Sequence, residues 1–259
     1  MKVLDRISII LFNFCLLAIT ILAPALIIAS SQGFYRAQFE KTGVYGSTIY
    51  NVGGFSGNRA TFSDEQFDMM ADHIVDYLFG DKESFALTLD GVTLNGDVMD
   101  GVNIFGEEAV THMADVKGLF SLCLVVVITA SVIFALSLGY IIYRRKHTFK
   151  LLLKYSLILY GAILFLAIAF LVFTAVSANG RDFATVIWSN LHYLFFPLSA
   201  EKFSGSFFND TLTEILTLDL FMSAVTIVLS VVISAIVIWF TAVTIITVKH
   251  KKETKKPLD

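Results

Sequence analysis

The chain has 259 residues, of which 56% are apolar and only 16% charged, with a mean hydropathy of +0.74; average globular proteins carry about 25% charged residues. That balance excludes an ordinary soluble enzyme, and the net charge of −3 gives no basic surface for nucleic acid. Two cysteines, Cys15 and Cys123, both in apolar runs, exclude a disulfide framework or a zinc site built on paired Cys/His and read as packing residues.

Four long apolar runs order the sequence, at about 7–29, 118–143, 155–177 and 221–248, and none contains Asp, Glu, Lys, Arg or His. Each exceeds the roughly 20 residues that cross about 30 Å of hydrocarbon. The expected fold is an α-helical polytopic membrane protein, a single membrane domain over 1–259 with four transmembrane helices. The first run is weighed against a cleaved signal peptide ending near Ala29-Ser30-Ser31. Its apolar core is longer than the roughly 7–15 residues of a signal h-region, so it reads as an uncleaved span, with Pro24 tolerated in its last third.

The N-terminal tail, the loop at about 144–154 and the tail 249–259 hold 12 of the 19 Lys/Arg, including RRKH (144–147) and KHKKETKK (249–256). This density places both termini and the middle loop in the cytoplasm, where the basic tails anchor to anionic headgroups. The loops at about 30–117 and 178–220 then face outward and hold 19 of the 22 acidic residues.

The first outer loop starts with GFYRAQFEKTGVYGSTIYNVGGFSGNRATF, which mixes aromatics with glycine and is expected to be irregular or strand-like. In SDEQFDMMADHIVDYLFG, Ser63 is a natural N-cap and Asp64 and Glu65 suit the first turn. Phe67, Met70, Ala71, Ile74, Val75 and Leu78 recur at helical spacing, and Gly80 can end the helix. Its apolar face is expected on the membrane or on the rest of the loop. Next, Phe85, Leu87, Leu89, Val92 and Leu94 alternate around Asp90-Gly91 and Asn95-Gly96, a hairpin signal. A small mixed α/β extracytoplasmic element follows from these readings. The loop closes on EEAVTHMADVK, which runs unbroken into the second span. The second outer loop is rich in Phe, Trp and Tyr and is expected along the outer interface.

With no ionisable group at membrane depth, an ion-coupled pump is disfavoured and chemistry belongs at the outer face. Among five histidines, His147 and His250 sit in cytoplasmic basic runs, and His73 reads as a partly exposed structural residue. His112 and His192 stand near span ends on the outer side. On a helix, Glu108 and Asp115 lie at i−4 and i+3 from His112, on one face. A carboxylate there can fix an imidazole tautomer and raise its basicity, although the same residues would also simply solvate a helix mouth. No HExxH or G-x-S-x-G occurs, so metal and serine-hydrolase readings lack support.

FGEEAVTHMADVKGLF (105–120) before a span, and WSNLHYLFFP with NDTLTEILTLDLF (209–221) before the last span, resemble the two signatures of the lipoprotein intramolecular transacylase (Lit) family of bacterial integral membrane proteins. FYRAQFEKTGVY (34–45) and ADHIVDYL (71–78) are similar too, as are the length and loop order. PLSAEKFSGSFF after His192 and Thr217 depart from the family pattern, which bears on substrate preference more than on the reaction. The resemblance implies acyl transfer from the S-diacylglyceryl group to the α-amine of a lipoprotein's N-terminal cysteine, giving a lyso-form (N-acyl S-monoacylglyceryl) lipoprotein, without a cofactor or acyl-enzyme. It implies His112 as base, oriented by Asp115 or Glu108, and His192 as acid or oxyanion partner, with the two roles exchangeable. Lys117 would hold the oxyanion or a headgroup, or merely end the polar cap. Tyr193, Phe195 and Phe196 would line the acyl-chain entrance. The expected location is the bacterial plasma membrane, with lipoproteins and membrane lipids as partners. A non-enzymatic sensor or accessory subunit, and a membrane-embedded lipid hydrolase or thioesterase, are the alternatives.

Overall fold

The structure is a computed structural model that describes residues 3–176 and 210–253. The chain is predominantly helical and divides into two compact units, one formed by 1–24, 124–181 and 226–259 and the other by 25–123 and 182–225.

Among the described residues, three helices are long and apolar enough to cross a membrane: α1 (Val3–Ala29), α4 (Glu107–Tyr143) and α7 within Leu218–Ala242 of its full extent Leu218–Glu253. A fourth long helix, α5 (Arg145–Val176), carries a shorter apolar stretch at Leu151–Leu166. In the first unit these four helices share a thin core. Ile9, Phe12, Ile141 and Leu152 are buried together with Trp239 against them, and Tyr160 packs with Val232 and Ile236. Most other large apolar side chains face outward, such as Leu136 at 71% exposure and Phe165 at 71%. That is the pattern of helices solvated by lipid rather than water. Polar contacts hold the seam instead. Asn13 donates to the Ile9 carbonyl at 2.8 Å, accepts from Ser156 Oγ at 2.7 Å, and its own carbonyl accepts from Tyr160 OH at 3.0 Å. Interhelical hydrogen bonds of this kind contribute roughly 0.6–2 kcal/mol each in hydrocarbon.

The second unit has a conventional core. The stretch expected to be irregular begins instead with α2 (Gln32–Thr42). Ser31 caps it by accepting from the Phe34 amide, and Gly43 ends it in the left-handed conformation (φ 73°), where its N–H closes on the Glu40 and Phe39 carbonyls. Tyr35, Gln38 and Phe39 form its buried face. Strands β1 (Thr48–Tyr50) and β2 (Arg59–Thr61) follow, separated by a 3-10 turn at Val52–Gly54. Helix α3 (Asp64–Phe79) has a full capping box, with Ser63 Oγ accepting from the Gln66 amide and Gln66 Oε1 accepting from the Ser63 amide. Its apolar face lies on the core, not on lipid: Phe67, Met70, Ala71, Ile74 and Leu78 are buried. Gly80 stops it, and a Cβ there would stand 2.5 Å from the Asp76 carbonyl oxygen.

Strands β4 (Val92–Leu94) and β5 (Asp97–Met99) close a hairpin on Asn95-Gly96, where both residues have positive φ. They extend the sheet in the order β1-β2-β4-β5, antiparallel throughout. Asp90-Gly91 does not close a second hairpin. β3 (Thr88–Leu89) pairs instead with β6 (Val102–Asn103). At the junction two Asp-Gly steps bond reciprocally: Asp100 Oδ1 accepts from the Gly91 amide and Asp90 Oδ1 from the Gly101 amide, each at 2.8 Å. The two side-chain bonds replace a ladder rung, so one long hairpin breaks into two short sheets.

The unit is not built from the first loop alone. Helix α6 (Thr211–Ile215) and the start of α7 insert Leu212, Ile215 and Leu220 into the same core as Phe39, Phe67, Phe85 and Phe105.

Candidate functional site

The site assembles where the head of α4 meets α6. His112 lies in the second turn of α4 and is 4% exposed, flanked on the buried face by Ala109 and Met113. Glu108 is half-buried one turn earlier, and its Oε2 is buried without a hydrogen-bond partner among the described residues. Asp115 is exposed. The helix therefore separates the two carboxylates that the spacing had treated alike: Glu108 turns inward with His112 and Asp115 turns outward.

Lys117 is drawn to the neighbouring helix. Its Nζ donates to the Lys82 carbonyl at 2.8 Å and stands 4.8 Å from the centre of the Tyr77 ring. Phe120, one turn on, meets Phe79 edge-on at 5.5 Å. These contacts fasten the C-terminal end of α3 along α4.

His73 is buried at 5% exposure rather than partly exposed, because α3 turns its apolar face wholly into the core. Its Nε2–H donates to the Phe85 carbonyl at 2.9 Å and its Nδ1 accepts from Lys82 Nζ at 3.0 Å, which fixes the Nε2-protonated neutral tautomer. Burial lowers its pKa from the ordinary histidine value. Both ring nitrogens serve the fold.

Asp210 was not singled out by motif reasoning, yet it is the most enclosed carboxylate among the described residues of this unit, at 3% exposure. It caps α6 with Oδ1, accepting from the Leu212 amide at 3.0 Å, and its Oδ2 accepts from the Gly106 amide at 2.8 Å. Burial raises its pKa, against the two N–H bonds that favour the anion; the nearby Glu108 charge raises it further. Glu214, on the same short helix, accepts from the Tyr50 amide with both oxygens at 3.1 Å, and burial raises its pKa too. A sequence signal did exist, since Asp210-Thr211 precedes a short apolar turn as an N-cap would. The contact with Gly106, 104 residues away, carried no local mark.

His192, Tyr193, Phe195 and Phe196 lie outside the described residues. Among the described residues no group of three or more His, Cys, Asp or Glu side chains is arranged to hold a metal ion. An open polar groove on the sheet, lined by Thr48, Arg59, Thr61, Thr93 and Asn95, shares no residue with the His112 cluster.

The sequence model of the family described as lipoprotein intramolecular transacylase Lit matches residues 8–221, well over half of the chain. No curated protein matches the sequence. Among solved structures, the membrane-integral lipoprotein intramolecular transacylase Lit from Bacillus cereus superposes with a TM-score of 0.65 at 13% identity, over 96% of this chain and 98% of that one. A form of that enzyme with a histidine replaced by alanine gives 0.57 at 13% identity, over 96% of each chain. One with a histidine replaced by arginine gives 0.55 at 16% identity, over 97% of this chain and 95% of that one. At such identities the superposition speaks for a shared fold.

Proposed function

The chain belongs to the lipoprotein intramolecular transacylase (Lit) family of membrane acyltransferases, and from that premise we propose that His112 is the general base of its acyl transfer and Glu108 the carboxylate that orients it. The reaction moves an ester-linked acyl chain from the S-diacylglyceryl group to the α-amine of a lipoprotein's N-terminal cysteine. An α-amine with a pKa of about 7.7–8.0 is mostly protonated at neutral pH. The amine reacts in its neutral form, after the ammonium has given one proton to solvent. His112 takes a second proton from the nitrogen as it attacks the ester carbonyl, and so holds the proton that the leaving oxygen later needs. The tetrahedral intermediate then collapses, the glyceryl C–O bond breaks, and the leaving oxygen takes up a proton, leaving an amide and a free glyceryl hydroxyl. Donor and acceptor belong to one molecule, so no acyl-enzyme is needed and the reaction profits from high effective concentration.

The observation that carries this assignment is the placement of a buried His112 one helical turn after an inward Glu108 whose Oε2 has no hydrogen-bond partner among the described residues. A buried acceptor of that kind is costly unless something completes it, and an imidazole N–H or the substrate ammonium is chemically suited to do so. Asp115, being exposed, is the weaker candidate for the orienting role. His192 is the proposed acid or oxyanion partner, with the aromatic residues Tyr193, Phe195 and Phe196 lining the acyl entrance. The order of the chain supports this role: His192 precedes Asp210 in the second outer loop, and Asp210 is fastened to the head of α4. We further assign four spans on the apolar runs, and cytoplasmic termini with an outward-facing second unit on the distribution of Lys and Arg. Membrane lipids surround the spans, and no nucleic acid is involved.

Replacing His112 with alanine should abolish lyso-form production while the purified protein keeps its thermal transition and monodispersity. A well-folded His112→Ala protein that still converts diacylglyceryl lipopeptide would remove this residue from the mechanism. Glu108→Gln, which keeps the shape but not the charge, should lower kcat by about 10- to 100-fold, less than the roughly 10²–10⁴-fold that a general base itself contributes.

A further inference from the structure

We propose that Asp210 is a positioning residue for acyl transfer: its carboxylate joins the head of α4 to the head of α6, and so fixes the turns that carry Glu108 and His112. The inference rests on the reading of His112 given above.

A capping role alone would not call for this residue. Ser, Thr or Asn cap a helix as well as Asp does, without placing an ionisable group in the interior. What the carboxylate adds is a second oxygen. Oδ1 serves the Leu212 amide of its own helix, while Oδ2 serves the Gly106 amide, two residues before Glu108.

The backbone is shaped around that second bond. A Cβ on Gly106 would stand 2.7 Å from Asp210 Oδ2, 3.0 Å from Gly54 Cα and 3.2 Å from the Gly53 carbonyl oxygen. Gly54, at φ +77°, lies in the left-handed region, and a Cβ on it would come within 3.2 Å of Gly106 Cα and 3.6 Å of Asp210 Oδ2. Three pieces of main chain, the 52–54 turn, the head of α4 and the head of α6, thus converge on one carboxylate with no room for a side chain between them.

Four residues on, Glu214 accepts from the Tyr50 amide of β1, and the intervening Thr211 and Leu212, like Ile215 just after, are buried. The segment is therefore registered at two points, one on the catalytic helix and one on the sheet. A displacement at Gly106 passes directly into the turn that carries Glu108 and into the next, which carries His112. An error of about 1 Å in such a group is enough to cost about 100-fold in rate.

The test uses the full-length protein in detergent micelles with a synthetic S-diacylglyceryl-cysteinyl peptide, read by mass spectrometry as N-acyl product. Turnover is normalised to folded protein and measured well below the transition of the least stable variant, so a purely structural role leaves kcat unmoved. Asp210→Asn keeps the cap on Leu212 but turns either an amide or a shared oxygen toward Gly106. It should lower kcat by about 10- to 100-fold with KM changed far less. Gly106→Ala, which keeps the aspartate but sets a methyl group against its Oδ2, should act in the same direction. The double variant should be no worse than the worse single one, because both break one contact.

A kcat for Asp210→Asn within about twofold of wild type, or losses that multiply in the double variant, would overturn the proposal. His112→Ala is run alongside. If it remains active, the base assignment falls and this inference with it; if it is inactive while Asp210→Asn turns over normally, this inference falls alone. Should Asp210→Asn fail to fold, Gly106→Ala carries the same test.

Discussion

Two buried histidines stand among the described residues of the second unit, and their surroundings divide the work between them. His73 has both ring nitrogens committed to the fold, through the Phe85 carbonyl and Lys82, and burial lowers its pKa. The folded protein therefore resists protonating it. Its stabilising effect is complete above the unfolded value of about 6.5 and is lost as the pH falls through the lower folded value. Thermal unfolding of the wild type should fall between pH 7.5 and 5.5 by more than that of His73→Gln, which keeps a donor for Phe85 but does not titrate. Asp210 and Glu214, with raised values, act in the opposite sense and are common to both proteins. Equal slopes for the two proteins would show that His73 does not contribute. At this scale the candidate base was legible, because His112 and Glu108 sit in one local motif. The inward turn of Glu108 and the outward turn of Asp115 were not, since helical spacing puts both near the histidine and only the surrounding core separates them. Asp210 was hidden for a different reason: its partner is a backbone amide that could belong to any residue.

Helix α3 shows how far local chemistry reaches at the level of elements. Ser63, Asp64, Glu65, the apolar positions and Gly80 each point to the same boundaries, and the helix occupies them. Ser63→Ala removes one acceptor and leaves the Gln66 amide unpaired, and should cost about 1 kcal/mol. A fall in the thermal midpoint with little change in kcat is expected, and an unchanged midpoint would mean the cap is idle. Helix α2 carried similar signals, a serine before it and a glycine after it, but its three aromatics and eleven-residue length gave a weak helical pattern. Its stability comes from tertiary contacts. Tyr45 OH donates to Asp68 at 2.5 Å, and Arg36 bonds Asp72 at 2.6 Å, tying α2 and the following loop to α3. Asp90-Gly91 misled in the other direction, because an Asx-Gly step specifies a turn without specifying which strand pairs next. The Asn95-Gly96 hairpin formed because the strands flanking it pair directly.

The molecule carries long apolar helices in one unit and a conventional buried core in the other, and it belongs to the lipoprotein intramolecular transacylase family. Apolar runs made the helices plain, since hydrocarbon imposes length and composition without regard to detail. The insertion of α6 into the core of the first loop could not be read the same way, because it depends on contacts between segments about 100 residues apart. That insertion connects the two stretches that carry the family signatures. The account stands most directly on one measurement: mass spectrometry of N-terminal lipopeptides from cells that express wild-type protein, His112→Ala protein or neither. Wild-type cells should convert S-diacylglyceryl cysteine to the N-acyl, S-monoacylglyceryl form with no net loss of acyl chains, while the other two cultures retain the diacyl form. Release of free fatty acid in place of N-acylation, or full conversion by the His112→Ala protein, would contradict it.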